Sequence, residues 1–314
     1  MTKNKINMPI TGIATFAKYP YVDDIDNLDA DIAVLGIPYD TGVGYLSGTR
    51  FGPRRIRDIS THYGRGGAGF YDPENDEQLL ADPIKIVDVG DADVVHGDIE
   101  GSFNAITDAV KAIRSKGAMP VMMGGDHSVT IPIARAYDDL ENLTVVQFDA
   151  HLDWSDAPGG QTLGNGSPMR RMSEMKHIGE MIQIGLRGLG SSRKEDFQAA
   201  KDYGSKLIPA KEAKELGAKG VIDMIPDSEH YYVTIDIDAF DISLATGTGS
   251  PSPGGFFYDE LIDMLTELAK KGKIVGFDLV ETAPQYDPTN ATTRVAAMTM
   301  LHFMSQIVKQ NNNK

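Results

Sequence analysis

The sequence predicts an α/β protein built on a mostly parallel sheet covered by helices on both faces. Three observations carry this. About eight short apolar runs alternate with helical patterns along the chain. The runs are continuously apolar rather than alternating, as strands buried on both faces are. The polar clusters fall where these runs end, which is where open parallel sheets hold their ligands.

Residues 1–30 are polar, with an Asp-rich stretch at Asp23-Asp24-Ile25-Asp26, and read as an N-terminal arm. Residues 32–38 form the first buried strand. The glycine-rich stretch 41–53 after it has no Gly-Lys-Ser/Thr, so it is not a P-loop, and it is at best a near miss to the dinucleotide fingerprint. Pro53 suits the first turn of a helix over 54–60. Residues 62–83 are a Gly/Asp/Pro-rich excursion, and 85–90 the second strand. Phe103, Ile106, Ala109, Val110 and Ile113 carry helical spacing through 99–117, with Gly117 as the stop. Strands follow at 119–123, 143–148, 181–186, 206–208, 231–235 and 274–277. Helices are expected after Ser128 to about Tyr137, and at 192–203, 258–271 and 292–308. No linker or internal repeat interrupts the series, so residues 1–314 are read as one domain.

Composition narrows the function. Forty-five acidic residues against 30 basic ones give a formal net charge of −15, which argues against a nucleic-acid partner. The absence of cysteine excludes disulfides, a Cys nucleophile and cysteinyl metal or iron–sulfur sites. No apolar run approaches the ~20 residues of a membrane span, and the N-terminus lacks an apolar signal core. A cytoplasmic enzyme without a membrane partner is the expectation.

Three strand ends carry metal-ligand side chains. His127 follows residues 119–123. Asp149, His151 and Asp153 follow 143–148. Asp236 and Asp238 follow 231–235. In an extended chain, alternate side chains share a face, so each Asp-x-His-x-Asp or Asp-x-Asp would present its ligands together. A lone Asp at such a place is ordinarily a cap or turn residue; three clusters at one sheet edge are not. Six ligands exceed one tetrahedral zinc, but bridging carboxylates let them serve two divalent ions ~3.5–4 Å apart. Oxygen-rich ligands with two imidazoles suit Mn²⁺, with Ni²⁺, Co²⁺ and Fe²⁺ also compatible. Asp236–Asp241 is not an EF-hand loop, since Phe240 occupies an oxygen position. Neither His-Glu-x-x-His nor Gly-x-Ser-x-Gly occurs.

These motifs resemble the ureohydrolases, the arginase and agmatinase family. The resemblance rests on Gly124-Gly125-Asp126-His127-Ser128, Asp149-Ala150-His151-Leu152-Asp153, Asp236-Ile237-Asp238-Ala239-Phe240-Asp241, Gly247-Thr248-Gly249-Ser250-Pro251 and Asp278-Leu279-Val280-Glu281. Gly36–Gly42 and Arg50–Arg54 look agmatinase-like. It spans residues 30–305 or so, and implies a three-layer α/β/α fold with an eight-stranded sheet. It also implies a dinuclear hydrolase of a small cationic guanidino substrate, releasing urea. His127 and Asp153 would hold one ion, His151 and Asp238 the other, with Asp149 and Asp236 bridging. Mn²⁺ is the family's usual ion and Ni²⁺ the main alternative. Asp153 would orient the attacking hydroxide and handle its proton. Glu281 would pair with the guanidinium. Ser155, Asn165 and Trp154 are candidate substrate contacts, with Trp154 and Tyr45 offering rings for a cation to stack on. A homo-oligomer, trimer or hexamer, is implied.

One position departs from the family pattern. Relatives usually carry a His where this chain has Asn165, and an amide does not titrate near pH 7. Proton transfer would then rest on Asp153 and water, or the substrate would differ from agmatine, with free or substituted guanidine favoured. Two other readings are a non-catalytic subunit on the same fold, supported by Asn165 alone, and a single-zinc deacetylase on a related fold. The full ligand set speaks against both.

Overall fold

The structure, a computed structural model, describes residues 8–190 and 192–312; the first seven residues of the expected arm lie outside them. The strands are β1 (Ile32–Gly36), β2 (Phe70–Asp72), β3 (Glu77–Leu79), β4 (Ile86–Asp91), β5 (Met119–Met123), β6 (Leu143–Phe148), β7 (Ile178–Leu186), β8 (Lys206–Pro209), β9 (His230–Asp236) and β10 (Lys273–Val280). The helices are α1 (Gly52–Ser60), α2 (Ile99–Ser115), α3 (Thr130–Arg135), α4 (Pro168–Ser173), α5 (Lys194–Tyr203), α6 (Ala210–Asp223), α7 (Tyr258–Lys271) and α8 (Ala291–Asn312).

Eight strands form one sheet in the order β4-β1-β5-β10-β9-β6-β7-β8. All its pairings are parallel. The strand interiors explain this arrangement. Every residue of β6 is buried, and side chains alternate between two cores. Val146 and Phe148 pack with α1, α6, α7 and α8 on one face. Val145 packs with α2, α3, α4 and α5 on the other. Three layers follow, and a continuous apolar run is their signature. No helix among the described residues is long and apolar enough to cross a membrane.

Four elements escaped the sequence reading. The excursion 62–83 contains the antiparallel pair β2–β3, whose three-residue strands are too short to show a period. Helix α6 buries only Ala210, Ala213, Val221 and Ile222, and Gly217 sits inside it at φ 67°; the apolar stripe is broken there. Helix α4 spans six residues, too few for a periodic pattern.

The topology matters most at its centre. Strands β5, β10, β9 and β6 are neighbours. Their carboxyl ends therefore bring His127, Glu281, Asp236 and Asp149 to one edge, from positions up to 154 residues apart.

Candidate metal centre

Each side chain is aimed by the turn behind its strand. After β5 the chain doubles back through Gly124-Gly125. Only glycine fits the second position, because a Cβ there would lie 1.6 Å from the Tyr39 carbonyl oxygen. The Asp126 carboxylate then accepts from Ser128 N at 2.9 Å and Gly42 N at 2.7 Å, starting the short turn that carries His127.

The next two clusters converge by a different route from the alternation expected of extended chain. Strand β6 ends at Phe148. The His151 N–H folds back onto Asp149 Oδ1 at 2.6 Å, and Asp153 adopts a left-handed φ of 52°. Likewise the Asp238 N–H donates to Asp236 Oδ1 at 2.8 Å inside a 3₁₀ turn. The expected side chains do meet, but through turns rather than strand pleat. Glu281, after β10, also has positive φ, at 63°. Non-glycine residues held there cost roughly 1–3 kcal/mol each and cluster at functional sites.

The result is a buried group of carboxylates around two imidazoles. His127 Nδ1 lies 2.8 Å from Asp153 Oδ2, 3.1 Å from Asp149 Oδ2 and 3.4 Å from Asp236 Oδ2. His151 Nδ1 lies 3.0 Å from Asp238 Oδ2 and 3.5 Å from Asp149 Oδ1. Two sets of converging ligand atoms form: His127, Asp149 and Asp236, and Asp149, His151 and Asp238. Asp149 belongs to both. Although three carboxylates crowd it, the buried Nδ1 of His127 makes no hydrogen bond. An orphaned buried nitrogen facing carboxylate oxygens is what a cation-binding ligand set leaves when the ion is subtracted.

The opposite ring nitrogen is fully committed. His127 Nε2 lies 2.9 Å from Thr234 Oγ1. The Thr234 hydroxyl gives its single proton to Asp278 Oδ1 at 2.6 Å, so it can only accept from Nε2–H. Asp278 Oδ2 in turn accepts from Tyr232 OH at 2.5 Å and Thr130 Oγ1 at 3.0 Å. In the neutral imidazole this keeps the Nδ1 lone pair facing the carboxylates. Asp149 has its own support: the Gln147 amide donates to it at 2.7 Å, and Gln183 and Ser205 continue the chain across β7 to β8. Sequence reading gave none of these residues a role at the site. The polar interruptions Gln147, Gln183 and Thr234 inside otherwise apolar strands were the available signal.

Charge crowding shows in the proton affinities. Burial, then the charge of Asp149, pushes the Asp153 carboxyl up to about 7. Burial, then Asp126, pushes Glu281 up to about 8. Asp236 is raised by burial and by Asp238. Asp149 goes the other way: burial opposes its ionisation, but His127 and His151 more than offset it and hold it below the usual range. Burial lowers the pKa of His151, yet Asp238 and Asp149 outweigh it and carry it up to about 12. For an acid with a raised folded pKa, the stabilising contribution is complete below the unfolded pKa, near 4, and is lost as pH rises through the folded value. The cation-free protein should therefore lose thermal stability between about pH 5 and about pH 8. A divalent ion should raise Tm more at the upper end, since binding needs the ionised carboxylates. Thermal scans across that range check both; a flat profile would contradict the crowding.

The other expected residues sort themselves by position. A cavity of about 240 Å³ is lined by His151, Asp153, Asp236, Asp238, Glu281 and Asn165, with Gly166, Gly190, Thr248 and Ser250. Asn165 Nδ2 donates to Glu281 Oε1 at 3.2 Å, and the His127 N–H donates to the same oxygen at 2.9 Å. Ser155 is half-buried outside the lining, its N–H bound to Gly166 O. Trp154 must be corrected. It is 1% exposed, packs into the core and meets Tyr203 ring to ring, because the left-handed turn at Asp153 sends its neighbour inward. It does not reach the cavity. Nor does Tyr45 line it, being 85% exposed on the outer loop.

Comparison with known proteins places this geometry. The family model described as the arginase family matches residues 30–305. The agmatinase of Bacillus subtilis is 34% identical over 283 residues, covering 90% of this chain and 93% of its own. The guanidinobutyrase of Pseudomonas aeruginosa is 31% identical, covering 91% of this chain and 89% of its own. Among solved structures, the proclavaminate amidinohydrolase of Streptomyces clavuligerus superposes with a TM-score of 0.85 at 32% identity, covering 96% of this chain and 99% of that one.

Proposed function

Because the chain belongs to the arginase family and is a metal-dependent ureohydrolase, we propose that it hydrolyses a small guanidino compound to urea and an amine or ammonia at a dinuclear centre. The observation that carries this is the pair of ligand sets sharing Asp149 beside the orphaned Nδ1 of His127. His127 and Asp153 would hold one divalent ion, His151 and Asp238 the other, with Asp149 and Asp236 bridging. The ligand chemistry favours Mn²⁺, with Ni²⁺ as the alternative. When bound, such a pair supplies the Lewis acidity that brings the pKa of a water near neutrality.

The chain's own residues do the rest. Glu281 receives both of its hydrogen bonds on Oε1, which leaves Oε2 to accept a guanidinium N–H. Asp153 stands beside His127 and the cavity, placed to take the proton of the attacking water. It would deliver that proton to the nitrogen that leaves when the C–N bond breaks. Asn165 neither gains nor loses a proton in this scheme; it steadies Glu281. A cytoplasmic homo-oligomer, trimer or hexamer, completes the proposal by family resemblance.

The network behind His127 gives a specific expectation. Asp278→Asn removes the anionic acceptor that fixes Thr234, and with it the ring orientation. Metal affinity should fall by roughly 10–100-fold, the usual effect of losing such a partner. Competition with a chromophoric chelator reads this; unchanged affinity would show that the network does not orient the ligand. The function itself is tested by loading the protein with Mn²⁺ or Ni²⁺ and assaying urea from guanidine, methylguanidine, agmatine, arginine, 3-guanidinopropionate and 4-guanidinobutyrate. Urea from none of them would refute the proposal.

A further inference from the structure

We infer that the substrate carries no charge beyond its guanidinium: the site is built for guanidine or a small N-alkylguanidine, not for a guanidine with an ammonium or carboxylate tail. This rests on the function proposed above and narrows it. Apart from four of the proposed metal ligands, His151, Asp153, Asp236 and Asp238, the cavity wall consists of Asn165, Gly166, Gly190, Thr248, Ser250 and Glu281. Only Glu281 is ionisable, and it is assigned to the guanidinium. No Lys or Arg stands in the wall among the described residues. Ser191, beside Gly190, is neutral by its sequence.

Two of the cations on adjoining segments are already engaged. The Arg187 guanidinium is fixed on the carbonyl oxygens of Phe240, Ser252 and Pro253, at 3.0–3.2 Å. Arg50 is held by Asp40. A carboxylate tail would thus find no Lys or Arg in the described wall to meet it, in a chain of net charge −15. An ammonium tail would find every lining carboxylate committed to an ion or to the guanidinium. Two exposed side chains on the adjoining loops, Tyr45 and Leu189, are uncharged. The loop bearing Tyr45 docks on the cavity wall, where Asn165 N donates to Gly42 O at 3.1 Å. Leu46 O lies so close to Gly249 that a Cβ there would be 2.7 Å away. Leu189, fully exposed, precedes Gly190 on another part of the wall. The cavity, about 240 Å³, falls below the ~300–1,000 Å³ usual for larger ligands. The reaction is balanced as R–NH–C(NH₂)₂⁺ plus water giving urea and R–NH₃⁺, with R hydrogen or a short alkyl group.

A series matched in size and differing in tail charge tests this on the ion-loaded protein: guanidine, N-butylguanidine and N-pentylguanidine against agmatine and 4-guanidinobutyrate. The best neutral compound should exceed both charged ones in kcat/KM by at least tenfold. A charged member that equals or surpasses the neutral ones would overturn the inference while leaving the hydrolase intact. Urea from no member of the series would overturn both this and the proposed function.

Discussion

Asp149→Ala should abolish urea release, by roughly 10³-fold or more in kcat, and drop the bound divalent ion from two per chain to one or none. The size follows from its position. Asp149 is the one residue common to both ligand sets, with Oδ2 3.1 Å from His127 Nδ1 and Oδ1 3.5 Å from His151 Nδ1. Its removal would take a ligand from each proposed site and leave the buried His127 and the half-buried His151 without their shared carboxylate, a costly way to break a largely buried ionic group. A paired site that acidifies water supplies many orders of magnitude of nucleophile at neutral pH, so losing the pair costs more than losing one contact. Elemental analysis and a urea assay on the same sample check both halves. Retention of two ions with near-normal turnover would mean that Asp149 is not the bridge.

Glu281→Gln should behave differently. The amide keeps the shape and an acceptor oxygen for the His127 N–H and Asn165 Nδ2. Metal content should therefore stay at two. The charge opposite the guanidinium is gone, however, and truncating one partner of a buried charge pair costs about 2–5 kcal/mol. With 1.36 kcal/mol per factor of ten, kcat/KM should fall by roughly 30- to several-thousand-fold. Loss of ion content along with activity would move Glu281 from the substrate to the metal. The left-handed backbone at Glu281, φ 63°, suits the role: strain is retained where geometry is selected for chemistry.

Some of this was readable from the chain alone, for physical reasons. The central strands are mostly apolar and buried on both faces, so β6 was legible to the residue. The ligand side chains follow strands directly, so they too stood out. Alternate spacing predicts their convergence by strand pleat, whereas turns at Asp149, Asp153 and Asp236 bring it about; spacing alone does not distinguish the two. Which residues support which ligand could not be read from the sequence. His127 is oriented by Thr234 and Asp278, 107 and 151 positions away in the chain, and only sheet order makes them neighbours. Trp154 failed for the opposite reason. Adjacent to a ligand in sequence, it points to the other side of the turn and fills the core.

The most direct test of the account is the metal stoichiometry of the purified chain at saturating Mn²⁺ or Ni²⁺, measured together with urea release as ion is added. Activity should track occupancy of a second site and saturate at two ions per chain. Saturation at one ion, or urea release that persists after chelation of all metal, would contradict it.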